Sequence, residues 1–374
     1  MKSRYPYALY LDSKILGTAT QLLSFFEQEI FSRDNTIIYL KRYKESAASF
    51  QKIFERARVP YQFMRPSELD QLSGQIIFYA FNAQSNCRLV ANRKLKHIFI
   101  THGESNKVSS IKPIIRIYDH VTMAGQLSLE RYYKSGLFDE DDYKKGRLIL
   151  VGDTFIGRTG FSLSTKATPV LFYAPTWEGG LATENYSSLK NIELVKSCLL
   201  QALKQLNINR IVIQPHPNLG HRTKKYLDKL IELILYLKKS GVEIYFHHNE
   251  ISISFIQKIK IQRSGVKIIE PSHLKNYYAK HAFVDISAIE SQCINELIPY
   301  FSFYDEINLR EDIPTIYLDR YQKVGVEVNQ NGIELDLKNG GYNLFSLKEA
   351  LFNNTQIDST QVLNKRITLL EEIV

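Results

Sequence analysis

Short apolar runs rich in Ile, Val, Tyr and Phe alternate with longer amphipathic segments along almost the whole of this chain. That rhythm constrains the fold more than any other feature. Parallel strands cannot be joined by a tight turn, so each pair needs a crossover of about a dozen residues, and an amphipathic helix supplies it while covering one face of the sheet. The first half predicts strands at Tyr7–Leu11, Thr36–Leu40, Gln75–Tyr79, His97–Thr101, His120–Ala124 and Arg147–Val151.

From Gly152 to Pro169 the sequence turns to Gly, Ser and Thr without apolar periodicity, which reads as a linker. The alternation then restarts. Strands are predicted at Val170–Ala174, Arg210–Gln214, Glu243–His247, Val266–Ile269 and Phe283–Ile286. Helices are predicted at Ile192–Leu206, Lys225–Lys239, from Phe255, at Leu274–Lys280, at Ile289–Leu297 and at Gln361–Ile373. The expected fold class is therefore α/β, with two doubly wound Rossmann-like domains, residues 1–158 and residues 159–374. A length of 374 residues suits two domains of ordinary size, and 44% hydrophobic residues are enough to fill a core in each.

Composition narrows the function classes. Cys87, Cys198 and Cys293 are far apart and have no metal-ligand spacing, which points to a reducing compartment and to no metal site. No segment is apolar enough to span a membrane, and the N-terminus lacks a signal-peptide pattern. The formal net charge of +9 favours anionic partners. Part of it is concentrated between Lys41 and Arg58, where Phe50, Ile53, Phe54 and Ala57 have helical spacing among Lys41, Arg42, Lys44, Lys52, Arg56 and Arg58. This segment reads either as a solvated helix over a core or as a docking face for an anionic membrane surface.

In open α/β sheets ligands sit beyond the C-terminal ends of strands. Three such places carry chemistry. His102-Gly103-Glu104-Ser105-Asn106-Lys107 offers an imidazole, a glycine permitting close approach and a lysine able to meet phosphate. In Pro215-His216-Pro217-Asn218 two prolines fix the backbone around one imidazole, which either caps a turn or serves a phosphate. Ser287-Ala288-Ile289-Glu290 opens a helix either as an anion site or as a Ser-x-x-Glu capping box. Asp285, just before it, reads as a buried structural carboxylate or as a residue orienting the loop. His97, at a strand start, reads as structural. There is no P-loop, G-x-G-x-x-G after a strand, G-x-S-x-G or H-E-x-x-H.

The order His102-Gly103-x-x-x-Lys107, Tyr173-Ala174-Pro175-Thr176-Trp177, His216-Pro217, Asp285-Ile286-Ser287-Ala288 resembles the CDP-glycerol glycerophosphotransferase family of teichoic-acid and capsule synthesis. The resemblance covers roughly residues 75 to 305. It implies the GT-B architecture, with a cleft between an acceptor-side domain and a nucleotide-donor-binding domain. It also implies transfer of a polyol phosphate from a CDP-activated donor to a hydroxyl of a lipid-linked or growing glycan, with release of CMP and no obligate cofactor.

On that resemblance His102 is the general base and His216 contacts the donor phosphates. Ser287, Ala288, Glu290, Pro217, Thr176 and Lys107 line the donor site, while Gly103, Glu104 and Glu178 lie on the acceptor side. The expected partners are the activated donor, the glycan or lipid-linked acceptor and an anionic membrane surface, with no nucleic acid. The implied location is cytoplasmic, peripheral on the inner face of a bacterial membrane. Glu178 stands where the family commonly has arginine, and an anion there would repel phosphate. Two rival readings remain: a GT-B transferase using a CMP-activated acidic sugar such as sialic acid or Kdo, and a non-catalytic binder of anionic glycan or membrane surface.

Overall fold

The computed structural model describes residues 4–101, 103–247, 259, 261, 263–357 and 360–374. By contact the chain divides into two compact units. The first comprises Met1–Glu104, Val108–Gly157 and Glu349–Val374, and the second Ser105–Lys107 and Arg158–Lys348.

The first unit holds strands β1 (Tyr7–Leu11), β2 (Thr36–Lys41), β3 (Tyr61–Met64), β4 (Ile76–Tyr79), β5 (Lys96–Phe99), β6 (His120–Met123) and β7 (Leu148–Leu150). They form a seven-stranded parallel sheet in the order β3-β2-β1-β4-β5-β6-β7. Alternate residues of β1 enter separate cores: Tyr7, Leu9 and Leu11 pack in one, Ala8 and Tyr10 in another. A strand buried on both faces has no polar positions to alternate with, which is why it reads as a continuous apolar run.

The second unit repeats the design with β8 (Thr168–Ala174), β9 (Arg210–Ile213), β10 (Glu243–Phe246), β11 (Lys267–Ile268), β12 (Tyr277–Asp285), β13 (Tyr300–Tyr304) and β14 (Val326–Glu327). Their order is β11-β10-β9-β8-β12-β13-β14, again all parallel. The expected α/β class, two doubly wound parallel sheets, is what the chain contains. In each sheet the chain winds outward from a central strand and then returns to that strand's other side. The switch points therefore lie between β1 and β4 and between β8 and β12, where ligands bind in such sheets.

Two expectations are corrected. Residues 274–280 are not a helix: Pro271–Asn276 is a short 3-10 helix and β12 begins at Tyr277, paired with Thr168 of β8. Leu274, Tyr277 and Tyr278 have helical spacing, yet tyrosine favours strands and the open edge of β8 supplies the ladder. The last segment does not belong with the second half. In the helix Leu363–Ile373, Ile367 and Leu370 enter the first unit's core, Tyr7 Oη donates to Glu371, and Arg366 pairs with Asp153 at 2.5 Å. A local pattern identifies the apolar face of such a helix but not the core that receives it. Strands β3, β13 and β14 were not foreseen. The helix expected from Phe255 begins outside the described residues.

The basic segment forms the helix Ala47–Ala57, which buries Ala47, Phe50 and Phe54. Lys52, Arg56 and Arg58 are exposed. No helix among the described residues is long and apolar enough to cross a membrane.

Candidate functional site

The C-terminal end of β8 is the centre of the second unit's polar constellation. Pro175 stops the ladder, and the next residue, Thr176, turns its backbone N–H onto Asp285 Oδ2 at 2.6 Å. Asp285 ends the neighbouring β12 and is fully buried. Its Oδ1 accepts the Ser188 N–H at 3.2 Å. Burial pushes the carboxyl up to about 7, opposed by the hydrogen bonds from Ser188 and Thr176 and by the charge of Lys107.

Lys107 donates to Thr176 Oγ1 at 2.6 Å, and its ammonium lies 5.6 Å from the Tyr186 ring centroid. Burial pulls it down to about 8, against the attraction of Asp285 and Glu184. It forms no ion pair among the described residues. Its neighbour Arg310 is different. That guanidinium makes a bidentate pair with Asp312, at 2.8 and 2.7 Å, and also donates to Tyr186 Oη and the Asn106 carbonyl.

Two residues beyond Asp285, Ser287 caps the helix Ala288–Glu296 in extended conformation without a side-chain capping bond. Its Oγ is buried and has no hydrogen-bond partner among the described residues. The first-turn N–H groups of a helix also have no intrahelical acceptor, so this start presents donors to an anion. The alternative capping box is not formed. Glu290, expected among the donor-site residues, is instead enclosed by Ser302 Oγ at 2.7 Å, Tyr321 Oη at 2.7 Å and Tyr300 Oη at 3.2 Å. With its oxygens taken by three hydroxyl donors and 2% exposure, it is corrected to a structural residue. Ala288 is the helix's first residue.

His216 sits at the end of β9, beside the same turn. Its N–H donates to the Pro175 carbonyl at 3.0 Å, and its Nδ1 accepts the Asn218 N–H at 3.1 Å. An accepting Nδ1 places the ring proton of the neutral imidazole on Nε2. The ring lies 18° from parallel to the Trp177 indole, with centroids 5.8 Å apart. Pro217 is half-buried next to it.

Glu178, expected on the acceptor side, is fully buried in the second unit. Oε2 accepts the Gly220 N–H at 3.0 Å, while Oε1 accepts those of Arg222 and Thr223, each at 2.8 Å. The carboxylate holds the loop preceding the helix Lys225–Lys239 and is corrected to a structural residue. The next residue, Gly179, has φ +74°, and a Cβ there would lie 2.4 Å from the Glu184 carbonyl oxygen. Only glycine fits this turn.

His102 lies outside the described residues. On either side of it Thr101 has φ +55° and Gly103 φ +118°. The Thr101 hydroxyl donates to the Gly103 carbonyl at 2.7 Å. A β-branched residue in the left-handed region is strained, and such strain concentrates at functional sites. Glu104, expected on the acceptor side, is buried, accepts the Ala124 N–H at 3.0 Å and pairs with buried Arg131. These contacts make it an anchor of the loop. His97 is also structural: buried, with Nδ1 on Tyr79 Oη at 2.9 Å and Nε2 on the Asn92 carbonyl at 3.1 Å.

Sequence reasoning missed Tyr186, Ser188 and Arg310. One signal was available for Ser188, since Ser187-Ser188 precedes an amphipathic helix much as Ser287 does. Nothing local marks Arg310.

No family model and no curated protein gives a match to this chain. Among solved structures, Anabaena HepE in complex with UDP aligns over 100% of this chain and 100% of its own, at 11% identity and a TM-score of 0.46. Acinetobacter baumannii MurG aligns over 98% and 99%, at 7% identity and a TM-score of 0.44. A Thermobaculum terrenum O-GlcNAc transferase mutant aligns over 99% of this chain and 66% of its own length, at 11% identity and a TM-score of 0.41. At these values none of the three says what this chain binds, and the fold rests on the strand orders themselves.

Proposed function

We propose that this chain transfers a polyol phosphate from a CDP-activated donor to a hydroxyl of a lipid-linked or growing cell-surface glycan, releasing CMP. The observation that carries the reading is Lys107: a desolvated ammonium that forms no ion pair among the described residues, at the switch point of a doubly wound sheet, joined through Thr176 and Asp285 to a helix start whose buried Ser287 hydroxyl has no hydrogen-bond partner among them. Desolvated cations and orphaned donors cost free energy unless an anion completes them, and a diphosphate has the required charge and acceptors.

In the proposed reaction the acceptor oxygen attacks the phosphorus bearing the polyol. The bond from that phosphorus to the bridging oxygen breaks, and its electron pair leaves with CMP. Lys107, Ser287 and the Ala288 helix start take the negative charge that gathers on the phosphates, and the Nε2–H of His216 donates to them. This is catalysis by positioning and electrostatics. The acceptor's proton goes to His102, the assigned base, and the strain at neighbouring Thr101 supports a functional loop there. Exposed Lys52, Arg56 and Arg58 give the protein a peripheral hold on an anionic inner membrane surface.

The test is incubation with CDP-polyols and CMP-sugars carrying labelled phosphorus, with and without acceptor. The reading expects acceptor-dependent CMP release with the donor's distal phosphorus retained in a phosphodiester. CMP release with no phosphorus in the product would assign a glycosyl transfer instead. Equal calorimetric affinity for CMP, CDP, UDP and ADP would remove the cytidine assignment.

A further inference from the structure

We propose that Asp285 is a positioning residue for the donor-phosphate site: its carboxylate ties the Thr176 turn to the Ser188 turn and so fixes where the Thr176 hydroxyl receives the Lys107 ammonium. The inference rests on the function proposed above for that site.

The geometry is a chain of three contacts. One oxygen of Asp285 takes the Thr176 N–H at 2.6 Å and the other takes the Ser188 N–H at 3.2 Å. Thr176 then presents its Oγ1 to Lys107 at 2.6 Å. A single residue at the end of β12 thereby organises the turn after β8 and the 3-10 turn Ser188–Asn191. A fully buried carboxylate is an expensive way to accept two backbone N–H groups and the Ser188 hydroxyl, because a neutral side chain would accept hydrogen bonds without desolvating a charge.

What faces the carboxylate explains the charge. Lys107 lies within its field, together with the buried hydroxyl of Tyr173 from β8. Lys107 is faced in turn by Asp285, Glu184 and the Tyr186 ring. Arg310, beyond Tyr186, is already neutralised by Asp312. Asp285 therefore favours the charged form of Lys107 without contacting it directly, which leaves the ammonium open to a phosphate.

The experiment follows the Lys107 titration by NMR on lysine-labelled full-length protein, with the resonance assigned by its loss in Lys107→Arg. Calorimetry with CDP, CMP and UDP runs in parallel. In the wild type the midpoint is expected near 8. Asp285→Asn removes the charge and turns an amide N–H toward one of the two backbone donors. It should lower the midpoint by about one pH unit and weaken CDP about tenfold. Asp285→Glu restores the charge and should bring the midpoint back.

Thr176→Val leaves both backbone contacts of Asp285 in place and serves if Asp285→Asn does not fold. It should also lower the midpoint, because the ammonium loses its hydroxyl acceptor. An unchanged Lys107 midpoint in Asp285→Asn, accompanied only by a lower melting temperature, would reduce Asp285 to a structural plug and overturn the inference, as would an unchanged midpoint in Thr176→Val. If the wild type binds none of the three nucleotides while the midpoints still move, the proposed function and the donor-site role of Asp285 both fail, and only its positioning of Thr176 against Lys107 stands.

Discussion

Replacing Lys107 with methionine should make the protein more stable and its nucleotide site worse. The ammonium's ordinary value of 10.5 falls to about 8 in the folded chain, chiefly through desolvation. That difference corresponds to about 3 kcal/mol spent on keeping the charge buried at neutral pH. Water reaching the half-buried side chain and the lost Thr176 bond reduce the expected gain for Lys107→Met to about 1–2 kcal/mol. The sign with pH is fixed. Between about 8 and 10.5 the unfolded chain keeps this proton and the folded chain does not, so unfolding takes up a proton and wild-type stability rises with pH. Below 8 both states are charged and the full cost applies. The gain from Lys107→Met should accordingly be present at pH 7 and vanish toward pH 10.5. CDP affinity should drop about 10- to 100-fold, the scale of one charge-assisted hydrogen bond. Urea denaturation of both proteins at pH 7 and pH 10, with CDP calorimetry at pH 7, measures both effects. A variant less stable than the wild type at pH 7 with undiminished CDP affinity would refute the reasoning, since Lys107 would then be packing and not an anion site.

Other outcomes follow from the same contacts. His102→Ala should lower turnover about 10²- to 10⁴-fold with CDP affinity nearly intact, whereas His216→Ala should weaken both; turnover and calorimetry on the two variants separate base from phosphate contact. A stable His102→Ala protein with near-normal turnover would remove the base assignment. Glu178→Gln sets an amide donor against one of three backbone N–H groups and should cost about 1–3 kcal/mol, read by urea denaturation. Reversing Lys52, Arg56 and Arg58 to Glu should abolish sedimentation with anionic liposomes at unchanged stability; equal binding to neutral and anionic vesicles would oppose membrane docking.

Much of the fold was legible because parallel strands buried on both faces have to be continuously apolar. β1 matches its expected limits, Tyr7–Leu11, and the helices Ile192–Leu206 and Lys225–Lys239 match theirs. The turns after β8, β9 and β12 were legible for a related reason: proline or a small hydroxyl residue interrupts an apolar run where the backbone leaves the ladder. Glu290 and Glu178 were misplaced on the same evidence. Proximity in sequence to a strand end does not fix where a carboxylate points, and both found donors in distant segments, at Tyr300, Ser302 and Tyr321 in one case and at Gly220, Arg222 and Thr223 in the other.

By itself, then, the sequence determined the α/β class, the two parallel sheets and the strand ends that carry polar residues, since these follow from periodicity and from backbone chemistry within a few residues. Tertiary structure decided which charges matter. It grouped Ser105–Lys107 with the second unit, set Lys107 on Thr176 beside Asp285, and returned the last helix to the first core. The physical reason is that the cost of burying a charge, and the partners that offset it, depend on side chains brought together from far apart in the chain, which local pattern does not encode.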